Sequence, residues 1–299
     1  MNLFNILKPE YCFRPLQIWH RLMRRCILPV EIINLPWGLP LIVRSDDIIG
    51  RQICALGVFE LVESEVLWRL TQQGDYCVDV GANIGYTASL LACRAGKEGF
   101  VQAYEPHPQV FQDAVANVNL WKNFNVAHVD IQPFGISDHV GRMNLIEPDG
   151  FKGNRGLSSF NHFRSGPSIT VDVKKLDLLL VKGKKIGLLK IDVEGHENSV
   201  LTGANMILGK KNVRDIIYED HHPFPSHVST ILLDAGYSIF RLDYSWWKPI
   251  LADPKLIARK RRPLETPNFL ATLEPKRALS KLKPSGWKCL NCAPVFRNK

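Results

Sequence analysis

The sequence predicts an α/β protein built on a doubly wound, mostly parallel, seven-stranded sheet of the Rossmann-like type. Apolar strand-like runs alternate with stretches of helical spacing through most of the 299 residues, which is typical of a sheet covered by helices on both faces. Tyr76–Val80, a glycine-containing turn and a helical stretch follow one another in the order of a nucleotide-binding unit. Ile186–Ile191 is almost entirely apolar, as the buried centre of a parallel sheet requires.

Residues 1–38 are expected to form a helical or irregular N-terminal extension ahead of the sheet. Residues 18–26 carry an apolar stripe at helical spacing with arginines between, which predicts a helix packed on the following domain or lying on a membrane surface. Leu39–Arg44 then predicts a strand. Phe59–Leu70 has the spacing of a helix that could wall a ligand pocket.

Seven segments are predicted to form the strands of the main sheet, with helices between most of them. In chain order they are Tyr76–Val80, Gly99–Tyr104, Asn125–Ile131, Ile186–Ile191, Val213–Tyr218, Tyr237–Leu242 and Asn268–Leu273. The intervening helices are expected to end near Ala95, Trp121, Leu208 and Ala235. Gly141–Ile146, Leu157–Phe160 and Ile169–Val173 predict further short strands. The glycine-rich segment Asp149–Gly166 is either a loop that closes over a substrate or a plain surface loop.

The turn after the first strand of the sheet supplies the first candidate ligand-binding residues. Gly81 and Gly85 let the backbone approach a bound molecule, and Asn83 tolerates left-handed dihedral angles. Asp79 ends the strand, where an acid would disfavour the pyrophosphate of a dinucleotide such as NAD but suit the ammonium and sulfonium of S-adenosylmethionine. Glu105 ends the next strand, 20 positions after Gly85, and can accept both ribose hydroxyls of an adenosine.

Further acids stand at the carboxyl ends of later strands. Asp192 follows the central strand, and Glu219 ends the strand after it. Because ligands of open α/β sheets bind outside these ends, Asp79, Glu105, Asp192 and Glu219 are expected to border one acidic crevice. Nothing in the spacing of these acids demands a divalent ion, so no metal site is predicted.

Three motifs together resemble the FkbM family of S-adenosylmethionine-dependent methyltransferases. They are Asp79-Val-Gly-Ala-Asn-Ile-Gly85, Glu105-Pro106 and Lys190-Ile-Asp-Val-Glu-Gly195. The first motif is shared by many methyltransferases, whereas its pairing with the third is much more specific. The resemblance spans about residues 39–273, which divides the chain into the extension 1–38, a methyltransferase domain 39–273 and a basic tail 274–299.

The resemblance implies a class I methyltransferase fold and in-line transfer of a methyl group from S-adenosylmethionine to a hydroxyl of a sugar or a secondary metabolite. The residues that would bind the cofactor are Asp79, Gly81, Asn83, Gly85 and Glu105, with Glu105 at the ribose. Asp192 and Glu194 would border the transfer site and are the candidate catalytic residues, because a base assists an attacking alcohol. His196, Glu219 and His221 remain open alternatives for that base.

The net positive charge is concentrated in the C-terminal part of the chain. Residues 252–299 hold twelve Lys and Arg against three Asp and Glu, which accounts for the whole net charge of +9. Such a tail favours anionic partners, although a solubilising, partly disordered terminus is the simpler interpretation. The predicted partner is a small-molecule or glycan acceptor. A nucleic-acid or protein methyltransferase that uses the tail, and a non-catalytic binding module of the same fold, are the alternatives.

The composition predicts a cytoplasmic protein without a membrane-spanning segment. No apolar run is long enough to cross a bilayer, and the first residues lack the uninterrupted apolar core of a signal peptide. The seven scattered cysteines favour reduced thiols over a disulfide framework. Cys289 and Cys292 form a lone pair without a nearby histidine, which is a weak zinc motif. Peripheral membrane contact through the tail or the N-terminal helix remains open.

Overall fold

A computed structural model of the chain describes Pro9 and residues 29–160, 166–181, 183–256 and 267–292. The apolar stripe of residues 18–26 lies outside the described residues. The fold begins with an antiparallel hairpin of β1 (Val30–Asn34) and β2 (Pro40–Arg44). Leu35 and Trp37 at the turn of this hairpin are buried in the main core. Residues before and after position 38, where a domain boundary was expected, therefore belong to one hairpin that packs on the core.

The remaining elements alternate between strands and helices along most of the chain. The strands are β3 (Tyr76–Val80), β4 (Phe100–Tyr104), β5 (His128–Gln132), β6 (Gly135–Ile136), β7 (Gly141–Ile146), β8 (Ser168–Lys174), β9 (Ile186–Ile191), β10 (Val213–Glu219), β11 (Ser238–Ser245), β12 (Lys248–Ala252) and β13 (Asn268–Thr272). The helices are α1 (Ile48–Leu56), α2 (Leu61–Leu70), α3 (Tyr86–Ala95), α4 (Pro108–Trp121), α5 (Glu197–Thr202), α6 (Asn205–Gly209), α7 (His227–Asp234) and α8 (Pro275–Leu282). None of the helices among the described residues has the length and apolarity needed to cross a membrane.

The main sheet confirms the predicted doubly wound α/β fold. Its strand order is β12-β11-β13-β10-β9-β3-β4-β5, and the five strands from β10 to β5 run parallel to their neighbours. β13 and β11 pair in antiparallel fashion at the other side. The sheet has eight strands rather than seven, because β11 continues to Ser245 and the chain turns back at Trp246 and Trp247 to add β12.

Two local expectations from the sequence differ from the structure. Leu157–Phe160 was predicted as a strand, but Arg155–Leu157 forms a 3₁₀ turn and only Ser159 makes an isolated bridge, to Ile146. The helix expected to reach Leu208 is broken between α5 and α6, since the carbonyl of Ser137 packs directly against Gly203. β6, β8 and β7 form a separate three-stranded sheet beside the main one.

Part of the segment expected to be a solubilising tail packs on the domain instead. α8 and the 3₁₀ turn Lys288–Leu290 lie against α2, and Trp287 is 1% exposed. The buried guanidinium of Arg69 donates hydrogen bonds to the carbonyls of Leu282, Pro284 and Gly286. Sequence charge alone did not indicate this packing, because one face of α8 is basic while the other is apolar.

Candidate active site

A cavity of about 580 Å³ lies at the carboxyl ends of the central parallel strands. The ends of β3, β4, β9 and β10 form its floor, and the first turn of α2 and the loop of residues 154–160 form walls. Helix α2 therefore walls the pocket as predicted from its position. The glycine-rich loop also lines the cavity, where Arg155 is held by Asp113 at 2.6 Å and its backbone N–H donates to Asp47.

The turn after β3 has the left-handed geometry that its sequence predicts. Gly81 has φ 82° and Asn83 has φ 50°, and both residues line the cavity. A Cβ atom on Gly81 would stand 1.8 Å from the carbonyl oxygen of Asp192, so glycine is required here for contact between two strand ends. Gly85, with φ 87°, precedes α3 and faces Trp121 instead of the cavity.

Asp79 lies beneath this turn and does not reach the cavity lining. Its side chain is fully buried, and neither carboxylate oxygen has a hydrogen-bond partner among the described residues. Burial raises the pKa of Asp79 to about 6, while the positive charge of Lys190, its neighbour across the β3–β9 pair, acts in the opposite direction. Asp79 therefore contributes negative potential from below the site.

Glu105 is held in place from two sides at the end of β4. Its two carboxylate oxygens each accept a backbone N–H at 2.9 Å, one from Asn83 and one from His107. Burial raises the pKa of Glu105 to about 7, although both hydrogen bonds favour the charged form. Each oxygen keeps a further lone pair, so this carboxylate can accept two hydroxyl groups from a ligand in the cavity.

Lys190 provides the cation of a buried charge cluster that the sequence analysis did not assign to the site. Its ammonium donates to Asp192 at 2.9 Å and lies 3.8 Å from Glu63. Although burial opposes it, the carboxylates of Asp192 and Glu63 raise the pKa of Lys190 well above its ordinary value. A lysine within the otherwise apolar β9 was the sequence signal that could have identified this cluster.

Glu194 stands in a strained turn just beyond β9. Its φ is 50°, and Gly195 follows with φ 91°. The carboxylate of Glu197 accepts the backbone N–H of Gly195 at 3.1 Å, and Ser159 donates to the carbonyl of Glu194 at 2.7 Å. The turn therefore fixes Glu194 in the cavity wall beside Asp192.

Two acids enclose the opposite end of the cavity, over β10 and β13. The pKa of Glu219 is raised to about 10, mainly by burial and further by the charges of Asp192 and Glu60. Its carboxylate lies 2.6 Å from His221, whose side chain is largely exposed. Glu60, which sequence analysis did not single out, accepts a hydrogen bond from Asn268 at 3.0 Å.

The structure thus brings most of the predicted site residues to one hollow. Gly81, Asn83, Glu105, Asp192, Glu194 and Glu219 line it, whereas Asp79 and Gly85 do not. His196 is also outside the lining, with its ring 3.0 Å from the hydroxyl of Ser137. The expected single acidic crevice therefore has three strand-end acids on its surface and Asp79 below it.

Comparisons with known proteins identify the family of this chain. The model of the Methyltransferase FkbM domain matches residues 79–239, just over half of the chain. Hexuronic acid methyltransferase AglP of Haloferax volcanii is 30% identical over 201 residues, which cover 65% of this chain and 73% of that protein. Methyltransferase sdnD of Sordaria araneosa is 28% identical over 205 residues, covering 58% and 77% respectively.

Solved structures are similar in outline. The FkbM methyltransferase of Methylobacillus flagellatus KT gives a TM-score of 0.41 at 16% identity, over 67% of this chain and 43% of that one. A SAM-dependent O-methyltransferase of Thermotoga maritima gives a TM-score of 0.42, also at 16% identity, over 72% of this chain and 65% of that one.

Proposed function

Because this chain belongs to the family of FkbM methyltransferases, we propose that it moves a methyl group from S-adenosylmethionine to a hydroxyl of a sugar or secondary-metabolite acceptor. The observation that carries the proposal is Glu105, whose two oxygens are aimed by the backbone of Asn83 and His107 within the same cavity as the Gly81 turn. A carboxylate held in this way suits the two hydroxyls of a ribose.

The charges around the cavity fit this cofactor better than a dinucleotide. Glu63, Asp192, Glu194 and Glu219 line it, and Asp79 lies beneath its floor. Of the lysine and arginine residues in its described lining, Lys190 is paired with Asp192 and Arg155 with Asp113. The raised pKa values of Glu63 and Glu219 mean that both are mostly protonated near neutral pH until a cation binds beside them. A ligand that carries ammonium and sulfonium groups favours the charged form of these acids, whereas a pyrophosphate opposes it.

The protein's part in the reaction would be to align and deprotonate the acceptor. S-adenosylmethionine supplies a methyl group that is already activated by the positive sulfur. Correct alignment of an acceptor oxygen can contribute up to about 7–11 kcal/mol of the acceleration. Asp192 is the first candidate for the base, because Lys190 fixes its carboxylate at 2.9 Å and it remains accessible from the cavity. Glu194 is the second.

A sugar is the first acceptor class to test. A relative is named for methylation of hexuronic acid. Tyr244, Phe59 and Asn268 line the cavity together with Glu60 and Glu219. Glu219 and Asn268 stand on β10 and β13, which β9 and β3 separate from β4, the strand that Glu105 follows. Aromatic faces with carboxylate and amide groups can contact the apolar and hydroxyl faces of a sugar ring.

Calorimetry tests the cofactor, and product release tests the acceptor. The protein should bind S-adenosylmethionine and S-adenosylhomocysteine at micromolar to low millimolar concentration, and the proposal fails if neither binds. A panel of glycans and hydroxylated metabolites, assayed for S-adenosylhomocysteine release, should then contain a substrate. Release with an amine or carboxyl acceptor and with no hydroxyl acceptor would contradict O-methylation.

A further inference from the structure

Three carboxylates share one ammonium at the floor of the cavity. Asp192 accepts the hydrogen bond from Lys190, Glu63 lies 3.8 Å from the same nitrogen, and Asp79 faces Lys190 across paired strands. All except Asp192 are at least nine-tenths buried. The ammonium donates its hydrogen bond to Asp192, so Glu63 and Asp79 are left without a hydrogen-bond donor among the described residues.

Glu63 is the member of the cluster that both reaches the cavity and lacks a hydrogen bond. It stands in the first turn of α2, is 8% exposed, and lines the same cavity as Gly81. No described residue donates a hydrogen bond to its carboxylate, and its ion pair with Lys190 is too long to be one. Asp79 is 0% exposed and does not line the cavity, while Asp192 already accepts a hydrogen bond from Lys190.

We propose that Glu63 binds the α-ammonium group of the methyl donor's amino-acid part, and so selects a cofactor with a free amine. The inference rests on the proposed use of S-adenosylmethionine. A buried carboxylate that faces a cavity and has no donor gains a charge-assisted hydrogen bond from a ligand ammonium. Glu63 on helix α2 thereby supplies the contact with the cofactor ammonium that the sequence analysis expected from Asp79.

The protonation of Glu63 supports this assignment. Burial raises its pKa to about 8, Lys190 acts in the opposite direction, and Glu60, Asp192 and Asp79 raise it further. Near neutral pH the ligand-free carboxyl therefore holds a proton for much of the time. A ligand ammonium beside it favours the charged form, so binding should release a proton from Glu63 into the buffer.

Two ligands that differ in the amino acid separate this contact from the rest of the site. S-adenosylhomocysteine carries the ammonium, whereas 5′-methylthioadenosine keeps the adenosine and sulfur and lacks the amino-acid part. In calorimetry at pH 7, Glu63→Gln should lower the affinity for S-adenosylhomocysteine by roughly 10- to 100-fold. The affinity for 5′-methylthioadenosine should stay nearly unchanged. Equal weakening of both ligands, or of neither, would overturn the assignment.

The number of protons released on binding gives a second readout, which does not require 5′-methylthioadenosine. Titrations in buffers of different ionisation enthalpy should show proton release when the wild type binds S-adenosylhomocysteine, and less release for Glu63→Gln. Decarboxylated S-adenosylhomocysteine, which keeps the amine, should show the same difference. Unchanged proton release in the variant would contradict the proposal.

Asp46→Asn is the control, since it removes one carboxylate that is exposed and lies outside the described lining of the cavity. It should leave the affinity for S-adenosylhomocysteine close to that of the wild type. An equal loss in both variants would mean that the general negative potential, and not a contact at Glu63, attracts the ligand. Failure of the wild type to bind any of these ligands would instead refute the proposed function.

Discussion

Replacing Lys190 with methionine tests whether one buried cation holds the acids of the site together. Lys190 is 4% exposed, and methionine keeps most of its length while removing its charge. The change leaves Glu63 and Asp79 buried without their attractive partner, and Asp192 loses a hydrogen bond of 2.9 Å. We expect the folded state to be destabilised more than by loss of a surface ion pair.

The size of the effect follows from the burial of the cluster. Removing one partner of a buried ion pair costs about 3–5 kcal/mol. For a chain of 299 residues, an unfolding entropy of about 0.6 kcal/mol/K converts this loss into a fall in Tm of about 5–8 °C.

The loss should also depend on pH. The folded pKa of Asp79, about 6, and that of Glu63, about 8, lie above the ordinary values of 3.8 and 4.5. Such groups contribute stability below their unfolded pKa and lose it as the pH rises through the folded pKa. Without Lys190 both folded pKa values rise further. The free energy of unfolding of the variant should therefore fall below that of the wild type by less at pH 5.5 than at pH 8.

Urea denaturation of both proteins at pH 5.5 and pH 8 measures the two differences. Lys185→Met, at an exposed lysine just before β9, is the matched control and should stay within about 0.5 kcal/mol of the wild type at either pH. A Lys190 variant as stable as the wild type, or a loss that is larger at pH 5.5, would refute the account of the charge cluster.

Three further predictions concern the ribose contact, the base and the packed C-terminal segment. In calorimetry, Glu105→Gln should lower the affinities for S-adenosylhomocysteine and for 5′-methylthioadenosine alike, by roughly tenfold or more, because both ligands carry the ribose. Asp192→Asn should bind S-adenosylhomocysteine nearly as the wild type does, but transfer methyl about 10²- to 10⁴-fold more slowly to an acceptor found in the screen. Trp287→Ala should lower the free energy of unfolding by about 3–5 kcal/mol, since its ring is 1% exposed, while ligand affinity is kept.

Each of these three has an outcome that contradicts it. Selective loss of only one ligand in Glu105→Gln would mean that Glu105 does not hold the shared ribose. A loss of affinity in Asp192→Asn as large as its loss of rate would make Asp192 a binding residue rather than a base. Trp247→Ala, at a tryptophan 58% exposed, is the control for Trp287→Ala, and equal destabilisation by both would argue against tight packing of the C-terminal segment.

Elements with a strong local pattern were predicted closely. Ile186–Ile191 was assigned to its correct bounds because an apolar run of that length fits a buried parallel strand. The left-handed turn at Gly81 and Asn83 was also predicted, since few residue types tolerate those dihedral angles. Leu157–Phe160 was wrongly predicted as a strand, because short apolar stretches in a glycine-rich loop carry little periodicity; Leu157 instead ends a 3₁₀ turn.

The sequence by itself determined the α/β class, the strand ends on which the acids stand, and the family motifs, because these depend on residue type and on spacing along the chain. Only the tertiary structure decided which acids reach the cavity. Asp79 and Glu63 are both buried carboxylates, yet Asp79 is sealed under a turn and Glu63 faces the cavity from a helix. That difference arises from contacts between distant segments, such as Lys190 with Glu63, which spacing along the chain does not encode.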